Sequence, residues 1–129
     1  MSFHCVVVTP EQQALDATIS QAIVPAHDGL IGILTGRAPI LLKIGVGPLR
    51  VDLSTGEKRF YFIDGGVAQM KNNELTILTQ EAIPANEINY EAAKAAYAKA
   101  AAEHPTDAAG QKEREHQLER ARAQQAMSK

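Results

Sequence analysis

Lys112, His116 and Arg120 recur at every fourth position of KEREHQLERARAQQAM, a spacing that lines one stripe of an α-helix, and Arg114 and Arg122 add charge beside them. The chemistry such a stripe offers is pairing with carboxylates. Residues 111–129 carry five basic and three acidic side chains, a local net charge of +2, which suits an acidic protein surface. Glu113, Glu115 and Glu119 equally allow an ordinary solvated helix of mixed charge. A second group, HDGLIGILTGRAP, spaces Gly29, Gly32 and Gly36 along a short segment that begins at His27 and ends at Pro39. Glycines permit tight turns and close backbone approach. A phosphate cradle is excluded, because no Lys followed by Ser or Thr stands in Walker spacing and the next segment reads as a strand. Asp28 and Arg37, taken alone, read as a solvated pair. His4, His27, His104 and His116 are scattered, with no carboxylate partner at ligand spacing, so neither a metal site nor acid–base catalysis is supported. Cys5 lies in FHCVVV and reads as a buried strand thiol; as the single cysteine it excludes an intramolecular disulfide and a cysteine-based zinc site.

The elements that must position these groups change character near Pro84. Before it the chain is strand-like: Phe3 to Val8, then Ala14 to Val24, where Leu15, Ala17, Ile19 and Ile23 fall on one side and Asp16, Thr18 and Ser20 on the other. Leu49, Val51 and Leu53 alternate with Arg50 and Asp52, and Ser54 to Glu57 supplies a turn before KRFYFI, whose Phe60 and Phe62 share a face. Asp64-Gly65-Gly66 breaks the next pair of strands, and Asn72-Asn73 separates VAQMK from ELTILT, since Asn tolerates the positive φ of a tight hairpin. Short strands with regular turn signals indicate an antiparallel β-sandwich or flattened barrel over residues 1–86.

After Pro84 the chain becomes rich in alanine and charge. Asn89 is placed to cap a first helix bearing a thin stripe of Tyr90, Ala93, Tyr97, Ala100 and Ala101. His104-Pro105-Thr106 ends it, and Thr106 or Asp107 starts a second helix in which Leu118 is the strong apolar anchor. Residues 87–129 therefore form a two-helix antiparallel hairpin, held weakly enough to detach, because alanine faces bury little area.

A formal net charge of −2 gives no general attraction to phosphate backbones, and no basic patch with stacking aromatics appears, so nucleic acid is not an expected partner. No run approaches the ~18 apolar residues of a membrane span, and the N-terminus shows neither a secretion signal nor a transit peptide, which favours a bacterial or plastid-encoded chain.

HDGLIGILTGRAPILL followed by FYFIDGGVAQMKNNELTILTQEA resembles the epsilon subunit of the rotary F-type ATP synthase. The family's Gly-x-x-Gly-(Ile/Val)-x-x-Gly-His-Ala-Pro is matched by Gly29, Gly32, Ile33, Gly36, Ala38 and Pro39, with Arg37 in place of the histidine. Its paired glycine is matched by Gly65 and Gly66, and its early Pro/Ser-Glu-Gln-x segment by Pro10, Glu11 and Gln12. The resemblance implies a sandwich of about ten strands followed by the helical hairpin. It also implies a non-catalytic rotor subunit without cofactor or metal, joining the gamma subunit to the c-ring and coupling proton flow to ATP synthesis. The segment Asp28, Gly29, Leu30, Ile31, Gly32, Gly36, Arg37 and Pro39 then becomes the partner-binding foot.

In relatives the hairpin extends against an acidic lever of the beta subunit and blocks hydrolysis, a role that would fall to Lys112, Arg114, His116, Arg120 and Arg122. Some relatives also bind ATP through Ile/Leu-Asp-x-x-Arg-Ala. Here Asn89 and Ala92 stand at the aspartate and arginine positions, so ATP binding is not expected. Isolated, the chain would be a monomer. In the complex it would sit on the cytoplasmic face of a bacterial inner membrane or the stromal face of a thylakoid. A different reading keeps the fold and makes the chain a free-standing sandwich adaptor with a helical tail for an unrelated partner.

Overall fold

Strand β1 (Phe3–Val8) sends Phe3, Cys5 and Val7 inward and the residues between them outward, as its alternation requires. The computed structural model describes residues 2–127. After β1 come β2 (Gln13–Ala26), β3 (Gly29–Leu34), β4 (Ile40–Leu53), β5 (Lys58–Lys71), β6 (Glu74–Leu78) and β7 (Ala82–Pro84). A 3-10 turn (Ala85–Glu87) leads into helices α1 (Tyr90–Ala102) and α2 (Ala108–Met127). Strands pair in the order β1-β6-β5-β4-β2-β3, β7 pairs with β5, and β1 also pairs with β2, so β1, β6, β5, β4 and β2 close into a flattened barrel. Every pairing is antiparallel except that of β1 with β6.

Among the described residues the strands number seven rather than about ten. The difference lies in β2, β4 and β5, each 14 residues long, which bend and remain single strands. Asp64-Gly65-Gly66 does not divide two strands; it kinks one. Gly65 and Gly66 take φ of +73° and +114°, which turns the chain while pairing with β4 continues through Val46–Asp64 and Ile44–Gly66. Gly66 is further required because a Cβ there would stand 1.9 Å from the carbonyl oxygen of Leu78 on β6. In β2 a register shift between Ile19 and Gln21 moves the alternation by one residue, so Ala22 and Val24, not Ile23, face the core.

The core is aliphatic, built from residues such as Leu15, Ile19, Val24, Ile33, Leu49, Val51, Ile63, Met70, Leu75 and Ile77. Cys5 is fully buried within it, and burial pushes its thiol up to about 12, so it stays protonated and inert. Tyr61, Phe62 and Ile63 are buried consecutively, which a strand allows only when both of its faces are covered. Tyr61 and Ile63 belong to the core, whereas Phe62 points to the opposite face, where α2 packs on β4 and β5.

The helices begin where their caps are. Asn89 Oδ1 accepts from the Ala92 amide at 2.9 Å, and Asp107 Oδ1 accepts from the Gly110 amide at 2.7 Å. The two helices meet through small residues, with Ala93, Ala100 and Ala121 buried. Leu118 is only half-buried, so it is not the anchor expected of it. The sandwich supplies the anchor instead, from Phe62.

Candidate functional site

Two surfaces gather the residues singled out by sequence. The first is the glycine segment, which is not a loop but the hairpin of β2 and β3. Ala26 pairs with Gly29 across a two-residue turn of His27 and Asp28, and β3 runs on as the outermost strand of its sheet. Gly29 needs its φ of +128° to leave this turn, and Gly36 its φ of +80° to close the next one, where the Arg37 amide donates to Leu34 O at 3.2 Å. That second turn is stapled across the barrel. The Gly36 amide donates to Asn73 Oδ1 at 3.2 Å, and Asn73 Nδ2 donates to Ser2 O at 3.2 Å. Asn72 and Asn73 hold φ of 52° and 60°, as their hairpin requires, but the staple made by Asn73 was not legible in the sequence.

Gly32 differs from its two neighbours. Its φ is ordinary and a Cβ built on it meets nothing within 4 Å, so the chain's own fold does not require glycine there. It lies between Leu30 and Leu34, which are 65% and 58% exposed. Asp28, Arg37 and Pro39 are exposed, while Ile31 is half-buried against the barrel. Asp28 and Arg37 stand at opposite ends of β3, and among the described residues no ion pair joins them.

The second surface lies under α2. Phe60, Phe62 and Asp64 alternate along one face of β5, and Asp64 sits where the strand kinks. His116 Nε2 donates to Asp64 Oδ1 at 2.8 Å, and Arg120 Nη1 donates to Asp64 Oδ2 at 2.8 Å while also pairing with Glu81. The same guanidinium lies over the Phe62 ring, 5.2 Å from its centroid. Of the basic stripe, His116 and Arg120 are thus turned toward the chain's own sandwich. Arg114 donates from Nε and Nη2 to the carbonyls of Ala100 and Ala101, both at 3.1 Å, capping the C-terminus of α1. Arg122 lies 5.8 Å from the Tyr97 ring, and Lys112 is exposed. Sequence reasoning found the cations and missed their receptor, Asp64, Glu81 and Phe62. The signal was present in the uninterrupted apolar run Tyr61-Phe62-Ile63.

A third feature is a shallow groove of about 800 Å³ lined by Val8, Pro10, Leu41, Val67 and Leu78, of which Leu41 is 69% and Leu78 48% exposed. Among the described residues no cluster of side chains could hold a metal ion, and no helix is long and apolar enough to cross a membrane.

Residues 2–85 match the family model described as ATP synthase, Delta/Epsilon chain, beta-sandwich domain. The chain is 44% identical to the ATP synthase epsilon chain of Rhodopirellula baltica over 84 residues, 65% of each chain. It is 37% identical to that of Nostoc punctiforme over 97 residues, 74% of this chain and 71% of that one. The chain thus spans about two thirds of the length of these curated relatives. A chain in the cryo-EM structure of the Euglena gracilis mitochondrial ATP synthase superposes with a TM-score of 0.88 at 25% identity, covering 97% of this chain and 80% of that one. The sandwich, the segment Gly29–Leu34 within it and these likenesses agree: the chain belongs to the ATP synthase delta/epsilon family.

Proposed function

We propose that the chain is a non-catalytic subunit of the rotor of a proton-translocating ATP synthase, joining the gamma subunit to the c-ring. The observation that carries this reading is Gly32: a bare backbone position on an outermost strand, flanked by exposed Leu30 and Leu34, that the fold itself does not need. A missing side chain with no internal cause favours close approach by another backbone. The β2–β3 hairpin is therefore assigned to the polar loops of the c-ring, with Asp28 and Arg37 as polar contacts at its two ends. The groove around Leu41, Val67 and Leu78 is assigned to gamma, since an exposed apolar surface of this kind marks a protein interface.

The helical hairpin serves as a brake on hydrolysis. Lys112, Arg114, His116, Arg120 and Arg122 would meet the beta subunit only after α2 leaves the sandwich, because Asp64 and Glu81 now hold two of them. The chain associates with the membrane through the complex, on its cytoplasmic or stromal face, and is a monomer alone.

Retention of the chain by immobilised gamma tests the assignment. The parent should be retained, and Leu41→Lys with Leu78→Glu should be released while remaining folded. Failure of the parent to bind gamma under conditions where the complex assembles would return the chain to the free-standing adaptor reading.

A further inference from the structure

We infer that Asp64, Glu81, His116 and Arg120 form a proton-gated latch, which holds the helical hairpin on the sandwich more tightly when His116 is protonated. This concerns how the chain holds its own parts and does not depend on the machine it serves.

The geometry sets the charge balance. Two carboxylates, Asp64 and Glu81, converge on one guanidinium, that of Arg120, and Asp64 is the half that also receives His116. With a neutral imidazole the cluster holds one more negative than positive charge; with an imidazolium the charges balance. The Asp64 side chain is only 14% exposed, so an unbalanced carboxylate there is poorly solvated, and the bond from His116 gains most when it is charge-assisted. Histidine is the side chain whose charge ordinarily changes between pH 5 and 8.

The surrounding groups do not compensate. On α2, Lys112 and Arg120 lie one turn to either side of His116, and Glu113 and Glu119 offset them, Glu113 being bonded by Gln117 at 2.7 Å. On β4, Arg50 is committed to Asp52 at 2.9 Å and 3.2 Å. From α1 the buried face is Ala93 and Ala100, and Tyr97 lies under Arg122. The rest of the docking surface is apolar, with Pro48, Phe60 and Met127 beside Phe62 and small residues, so the polar cluster supplies its charged contacts.

The test uses the full chain with reporter pairs on Ser54→Cys and Ala109→Cys, both exposed sites, the native Cys5 being buried and unreactive. The undocked fraction is read from the distance between reporters at pH 5.5 and pH 8.5, with circular dichroism as the check on the sheet. We expect the undocked fraction to rise about two- to tenfold over this interval in the parent, the span of a partly exposed charge-assisted bond. His116→Gln should remove the pH response and sit near the parent's high-pH value throughout. Asp64→Asn should undock at both pH values. A parent whose docking does not change with pH, or a His116→Gln chain that keeps the parent's response, overturns the latch. Should Asp64→Asn fail to fold, the His116→Gln comparison decides alone, because that side chain is 40% exposed and lies outside the core.

Discussion

Arg120 covers Phe62, its guanidinium 5.2 Å from the ring centroid, and the pair joins α2 to the sandwich beside Pro48, Phe60, Met127 and a few alanines. Phe62 is fully buried yet stands outside the sandwich core. Its burial depends on α2. Replacing Phe62 with Ala should therefore loosen the hairpin by ~2 kcal/mol or more while leaving the sandwich's melting temperature nearly unchanged. Arg120→Lys should loosen it too, since an ammonium keeps the charge but not the planar fork that spans Asp64 and Glu81 and lies flat on the ring. Limited trypsin digestion reads both effects as faster cleavage within α2. Loss of the sheet signal at lower temperature in Phe62→Ala would show that Phe62 supports the barrel itself.

Gly66 and Gly32 should respond oppositely to an added side chain. Gly66→Ala puts a Cβ 1.9 Å from the Leu78 carbonyl oxygen at a φ of +114°, so it should cost ~3 kcal/mol or more and lower the melting temperature by more than ten degrees or prevent folding. Gly32→Val meets open space on a strand and should change stability by less than ~1 kcal/mol. In assembled synthase the same valine should lower proton pumping per ATP hydrolysed. Normal pumping by a folded Gly32→Val complex would remove Gly32 from the proposed ring contact.

His4 carries the pH dependence of the sandwich. Its ring bridges Asp16 on β2 and Glu74 on β6, Nδ1 lying 3.2 Å from Glu74, and the bonds to Asp16 and then Glu74 raise its pKa above the ordinary 6.5. A raised imidazole stabilises the fold fully below 6.5 and loses that contribution as pH rises through its folded value. Asp16 is lowered below 3.8, chiefly by its bond to His4, so its contribution is present above 3.8 and fades as pH falls through its folded value. The pair thus supports the sandwich most between these limits, and His4→Gln should flatten thermal stability measured from pH 5 to 8.5. The sites are exposed, so the change should be small and should shrink with added salt.

Deleting residues 87–129 should leave a folded sandwich, because the barrel closes through β1, β2, β4, β5 and β6 without the helices. The truncated chain should self-associate, since it uncovers Phe62 beside Phe60, itself 44% exposed. Adding Phe62→Ser should restore a monomer, as judged by sedimentation. The truncation should raise ATP hydrolysis of the assembled synthase only modestly, because the cations of α2 are diluted by glutamates. Titration calorimetry of the full chain should find no submillimolar ATP binding, given Asn89 and Ala92.

The fold was largely legible because its signals are local. The apolar run Phe3 to Val8 marked β1, Asn72-Asn73 marked a tight hairpin, and Asn89 and the pair Thr106-Asp107 marked the helix starts. What stayed hidden depends on neighbours distant in sequence. The phase shift in β2 comes from a bulge set by pairing with β4, and the continuity of β5 through Gly65-Gly66 comes from the β4 ladder beside it. The glycine segment was legible as a special place, but its division into two turn glycines and one free position depends on the backbone φ at each, which spacing does not reveal. The stripe at Lys112, His116 and Arg120 was read correctly as a helical face. Its current acceptor lies some fifty residues earlier, on Asp64, and no spacing rule connects them.

The parallel pairing of β1 with β6 has a consequence for how the chain reaches its native state. His4 meets Glu74 across a separation of 70 residues, so β1 can rest on β2 early but the barrel cannot close until residue 78 is available. The helical hairpin is local and forms on its own schedule, yet its docking surface on β4 and β5 is complete only when Glu81, which follows β6, is there to meet Arg120. Refolding should accordingly be slow for a chain of this size, rate-limited by closure of a long loop. The two latest events, insertion of β6 beside β1 and seating of α2 over Phe62, are separable in time by following the sheet and the hairpin with different probes.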